Sequence, residues 1–121
     1  MSGCVLRAAG SSFSPESFLT AFPLPEANHR GNALNVVVSD RDGADLEGQI
    51  RDALAFLQLH APAVRALLAM PGVEASLDFG LWRKDALSQS VLFPPTLTAL
   101  AGELGLGLEV SLYVATPPRS I

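Results

Sequence analysis

The run from Leu106 to Val114 is the cleanest two-residue period in the chain. Leu106, Leu108, Val110, Leu112 and Val114 alternate without a break with Gly107, Glu109, Ser111 and Tyr113. Successive side chains of a strand point to opposite faces, so this period predicts a strand with one face buried and the other wet. A second run repeats the pattern: Val73, Ala75, Leu77 and Phe79 against Glu74, Ser76 and Asp78, broken by Gly80. Leu81-Trp82-Arg83-Lys84-Asp85 follow, and Ser90-Val91-Leu92-Phe93 closes the region before Pro94 and Pro95. Two apolar runs joined by a short charged link predict an antiparallel hairpin over 73–93 with Trp82 at its tip.

Two further strands are expected. Leu34 to Val38 is rich in β-branched residues, and Cys4 to Ala9 is a short apolar run ending at Gly10. Helices fill the intervals. Ser14-Pro15-Glu16 is a helix start, since Ser can cap, Pro suits the first turn and Glu complements the positive dipole end. Leu46, Ile50, Ala53, Leu54, Leu57 and Ala61 recur at helical spacing, which predicts a main amphipathic helix over 44–60, restarted or kinked at Pro62. Leu97, Leu100, Ala101 and Leu104 predict a last helix from Pro95, capped by Gly105. Pro23 to Asn32 shows no pattern and is read as a connector.

The resulting order is β-α, then β-α-β-β-α-β. It predicts a single α+β domain over 1–121: a two-layer sandwich of a mostly antiparallel sheet with helices on one face. The core, over 34–114, would be ferredoxin-like βαββαβ, preceded by an N-terminal βα, with 115–121 as a flexible tail. The uncovered face would carry Asn35, Ser76, Asp78, Glu109, Ser111 and Tyr113, joined by Ser88 and Ser90 if their register agrees. Val36, Val38, Ala75, Leu77, Phe79, Val91, Leu108, Val110 and Leu112 would point inward.

A chain of 121 residues can bury roughly two thirds of its unfolded surface and needs no metal or disulfide to fold. With 49% apolar and 17% charged residues it is too hydrophobic for disorder. No apolar run approaches the ~20 residues of a membrane span, and Cys4-Val5-Leu6 before Arg7 is too short for a signal peptide. Together with the single cysteine, this points to the cytoplasm and away from membranes. The net charge of −4 and scattered cations argue against nucleic acid, whose phosphates demand a basic stripe, and suit a protein partner.

Signatures of catalysis are missing: there is no G-x-S-x-G elbow, P-loop or paired-cysteine site. Asp40 to Glu47 resembles a calcium loop only superficially, because Ala44 and Asp45 occupy the positions that need an oxygen ligand and a glycine. His60 at a helix end and Cys4 in an apolar strand have structural explanations. No catalytic, cofactor or metal residues are therefore assigned. The partner-binding candidates are Trp82, Arg83 and Lys84 at the expected tip, and Asp78, Glu109 and Tyr113 on the expected open face. Trp and Arg are enriched where binding energy concentrates; for Trp82 the competing expectation is that it folds back over the apolar end of the hairpin.

Val36-Val37-Val38-Ser39-Asp40, the helix Leu46 to Leu57, Leu77-Asp78-Phe79-Gly80, Phe93-Pro94-Pro95 and Leu104 to Tyr113 carry a resemblance. Over 34–114 the chain resembles a bacterial family of small cytoplasmic domains of unknown function, some relatives of which look like the immunity proteins that accompany polymorphic toxins. The acidic balance, the polar sheet face and the missing catalytic signatures point to a non-enzymatic protein-binding domain; the resemblance would make its partner a toxin, and ferredoxin-like sheets also pair with a second copy through the sheet face. The alternative is a small ligand-binding domain or enzyme using a cleft between the open sheet face and the 23–32 loop, with Asp78, Glu109, Tyr113 and His29.

Overall fold

The computed structural model describes residues 3–114; the expected tail at 115–121 lies outside them. The chain is α+β, with the strands β1 (Gly3–Ala9), β2 (Ala27–Arg30), β3 (Ala33–Ser39), β4 (Glu74–Trp82) and β5 (Gly107–Tyr113). The helices are α1 (Pro15–Ala21), α2 (Leu46–Leu59), α3 (Ala61–Ala69) and α4 (Pro95–Leu104). The strands form one open, mostly antiparallel sheet in the order β2-β3-β1-β4-β5, in which only β4 and β5 run parallel.

The expected hairpin over 73–93 does not form. The strand β4 is continuous through Gly80 to Trp82, and the chain from Arg83 to Pro94 carries no strand. The reason is the number of edges a strand has. One edge of β4 is taken by β1 and the other by β5, so no place is left for Ser90 to Phe93. Leu92 is 84% exposed, while Phe93 turns inward onto Phe79 with ring centroids 5.0 Å apart. Ser88 and Ser90 therefore do not join the sheet, and Val91 is not one of its inward residues. Only three strands form within 34–114, so the expected four-stranded core does not occupy that span.

Two segments compensate. Strand β1 is the sheet's centre rather than a preliminary element, with Cys4, Leu6 and Ala8 buried between β3 and β4. Residues 27–30, expected as patternless connector, pair with β3 through a two-residue turn at Gly31-Asn32. Gly31 has φ 61°, the first-position requirement of the tight hairpin turn that matches strand twist.

The long helical region divides at His60, whose backbone N–H still reaches Phe56 O (2.8 Å) while α3 begins at Ala61 with Pro62 in its first turn. Asp45 caps α2 by accepting from Gly48 N–H (2.9 Å), and a Cβ on Gly48 would collide with that carboxylate. A glycine that weakens the helix interior by up to ~1 kcal/mol thus makes room for its cap. One core unites Leu6, Phe18, Leu57, Leu67, Phe79 and Leu97, drawn from two strands and all four helices. Of the expected inward set, Val36, Leu77 and Phe79 are fully buried, and Val38, Ala75 and Leu108 pack partly against this core. Leu112 does not follow, being 50% exposed on the outermost strand.

Candidate functional site

Side chains of the other strand parity meet on the polar side of the sheet. Arg7 is placed by β1 opposite Ser76 of β4 and Asn35 of β3. Its Nε donates to Asp78 Oδ2 (3.2 Å) and its Nη1 to Asn35 Oδ1 (3.2 Å). Ser111 Oγ reaches both carboxylate oxygens of Asp78 (2.8 and 2.9 Å), and Ser76 Oγ donates to Glu109 Oε1 (3.3 Å). Four adjacent strands thus contribute to one polar network. Asp78 is only 5% exposed, whereas Arg7 remains half in solvent. A buried carboxylate persists when hydrogen bonds and an opposite charge replace its water, as they do here.

An open depression of about 680 Å³ lies beside this network, bordered by Arg7, Ala9, Ala33, Glu74, Ser76 and Glu109. Ala8, Ala9, Ala33 and Ala75 line it with small side chains, of which Ala9 is exposed. The carboxylates of Glu74 and Glu109 stand exposed at its rim.

The expected binding residues divide between two places. Asp78 belongs to the polar network, Glu109 pairs with Ser76 beside it, and Tyr113 follows Ser111 on the same side of β5. Trp82, Arg83 and Lys84 lie at the end of β4. Trp82 is half-buried and not at a hairpin tip: its indole N–H donates to Asp42 Oδ1 (3.0 Å) and its backbone N–H to Gly43 O (3.2 Å). It clamps the 40–45 loop to the sheet. The side chain of Gln89 returns the chain after β4, accepting from Lys84 N–H (2.9 Å) and donating to Trp82 O (3.1 Å). The side chains of Arg83 and Lys84 stay exposed.

His29 does not join Asp78 and Glu109. It pairs with Leu34 on β2, three strands from β4, about 14 Å at ordinary strand spacing, and its parity is opposite to that of Asn35. The 23–32 segment cannot close a cleft over the polar side because much of it is the edge strand itself. Cys4 is buried among apolar side chains, and burial pushes its thiol far up, aided by the carboxylates of Asp78 and Asp52, which disfavour a thiolate. An unreactive structural thiol follows. Among the described residues no group of three His, Cys, Asp or Glu side chains is placed to hold a metal ion, and no helix is long and apolar enough to cross a membrane.

Arg7 and Gln49 are the important side chains that sequence reasoning passed over. Arg7 alternates with Leu6 and Ala8, a signal that was present but too short to register. Gln49 carried none. It is fully buried, with Nε2 near Asp42 O (3.1 Å) and Gly80 O (2.9 Å), and it ties the loop before α2 to β4. Comparison with known proteins finds no matching family model, no similar curated protein and no similar solved structure.

Proposed function

We propose that this is a non-enzymatic protein-binding domain that docks a partner on the polar side of its sheet. The succession β1-α1-β2-β3-α2/α3-β4 and the order β2-β3-β1-β4 support a ferredoxin-like split βαβ unit, with α4 and β5 appended after it. In that arrangement the helices cover one face, and the Arg7–Asp78 face is left for a partner.

The observation that carries this function is the pairing within the network. Arg7 is engaged by Asp78 and Asn35, and Ser111 by Asp78, so the polar groups hold one another in place. A reactive centre needs a group free to attack or to move a proton. A docking surface needs a rigid floor with charge at the rim, which is what Glu74 and Glu109 provide around the alanines. The exposed carboxylates and the net charge of −4 suit a partner that presents Lys or Arg. The family resemblance over 34–114 would make that partner a toxin domain, bound in the cytoplasm of a bacterium.

Substitution at the floor tests the proposal. Ala9 is exposed and lines the depression, so Ala9→Arg should fill it without disturbing the core. Co-expression with the product of the adjacent gene, followed by titration calorimetry, should show a complex for the unaltered chain and at least a tenfold loss for Ala9→Arg, about 1.4 kcal/mol. Equal affinity in the two proteins would move the binding surface elsewhere.

A further inference from the structure

Strand β5 ends the sheet, and among the described residues nothing pairs with its outer edge. Tyr113 O accepts from Arg83 N–H (2.7 Å) on the β4 side. By the two-residue period, Leu108, Val110 and Leu112 aim their backbone groups outward. Edge strands are usually blunted by shortness, charge or a bulge. The opposite edge is: β2 has four residues, includes exposed His29 and Arg30, and is preceded by Glu26 at φ 53°. By contrast, β5 has seven residues with Glu109 as its one charge, and Leu112 and the following Val114 are 50% and 70% exposed.

A second observation comes from α4, the crossover helix between β4 and β5. Glu103 accepts from Arg65 Nη2 of α3 (3.2 Å), which fixes the flank that faces the other helices. Thr98 and Gly102, four residues apart, lie on the exposed side away from the buried Leu97, Ala101 and Leu104. A Cβ at Gly102 would meet nothing within 4 Å, and its φ is not positive. Neither backbone conformation nor crowding in this chain calls for glycine there, although glycine weakens a helix.

We propose that two copies of this chain associate through β5, joining their sheets edge to edge in antiparallel fashion about a two-fold axis. The sequence of β5 is complementary to itself. With Ser111 opposite Ser111, Val110 faces Leu112, Leu108 faces Val114 and Glu109 faces Tyr113. No carboxylate meets its own copy, and both exposed aliphatic side chains gain apolar neighbours. The axis would lie about 2.4 Å outside β5, half of one strand spacing. A helix covering β4 and β5 would then approach its symmetry mate to roughly 10 Å, the range in which small residues such as Gly102 let helices touch. This association uses the edge and leaves the Arg7–Asp78 face free, so it stands or falls separately from partner docking.

Sedimentation equilibrium of the full chain, up to about 0.2 mM, is the test. The unaltered protein should be a dimer. Leu112→Lys should abolish association, because it places a charge in the apolar row of the edge while altering a side chain already half in water. Gly102→Leu should weaken association on the order of tenfold while raising the thermal midpoint of the dilute monomer, since leucine is the better helix former. Circular dichroism matching that of the unaltered chain identifies the variants that fold. A monomeric unaltered chain, or a folded variant of either kind that dimerises as the unaltered chain does, overturns the proposal.

Discussion

The two faces of β4 are built on different principles. On one, Leu77, Phe79 and Leu81 are buried, and Phe79 meets Phe93 of the segment just before α4. On the other, Asp78 is almost as inaccessible, yet it is surrounded by donors rather than by hydrocarbon. Inaccessibility therefore does not distinguish core from surface in this sheet; what surrounds the buried group does. The apolar face is held by area removed from water and by close packing. The polar face is held by mutual satisfaction of a few groups, which fixes geometry more than it adds stability. That difference is the ground on which we propose the second face for recognition.

Truncating each face in turn should expose the contrast. Phe79→Ala removes a fully buried ring and leaves a cavity beside Phe93, so urea denaturation should report a loss of about 3–5 kcal/mol. A loss below about 1 kcal/mol would mean that the helices do not close over that face. On the polar face Asp78→Ala should cost less, about 1–3 kcal/mol, because the abandoned Arg7 is half exposed and can take up water. Combining it with Arg7→Ala measures their coupling directly. Additive losses would show that Ser111 alone holds the carboxylate and that the network is not a unit.

The same contrast governs what the sequence made legible. The alternation at 73–79 and 106–114 placed Asp78, Ser76, Glu109 and Ser111 on one side of a sheet, because a two-residue period depends on nothing beyond the strand itself. It could not reveal which strands are neighbours. The apolar run at 90–93 fits a strand locally, but β1 and β5 compete for the edges of β4 and win. The centrality of Cys4–Ala9 was hidden for a related reason: a short run buried on one side by alternating residues looks the same at the middle of a sheet as at its margin. Gly31-Asn32 was a readable hairpin signal, and with it the 23–32 segment would have lost its standing as a loop that could close a cleft. Arg7 became a candidate only once β1 was known to lie between β3 and β4.

The apolar side of the sheet has a carboxylate beside it as well, and it provides the finest comparison between the faces. A register shift between Cys4 and Val5 leaves Val38 without a partner on β1. Ser39 is thereby turned toward α2, where its hydroxyl donates to Asp52 Oδ2 (2.8 Å) and Arg41 Nε joins at 3.2 Å. The Ser39 hydrogen bond first, and Arg41 after it, hold the Asp52 carboxyl below the usual carboxylate range, against the opposing effect of burial. A carboxyl whose folded pKa is depressed adds stability above its unfolded value, ~3.9, and that increment is lost as the pH falls through the folded value. Asp52→Asn keeps an acceptor for Ser39 but no charge. At pH 7 it should be less stable by roughly 0.5–1 kcal/mol, the range for a partly exposed pair. The difference should shrink toward zero as urea titrations are repeated at successively lower pH below ~4, where the unaltered carboxyl also becomes protonated. A difference that holds constant across that range would show that shape at the bulge, and not charge, is what Asp52 supplies.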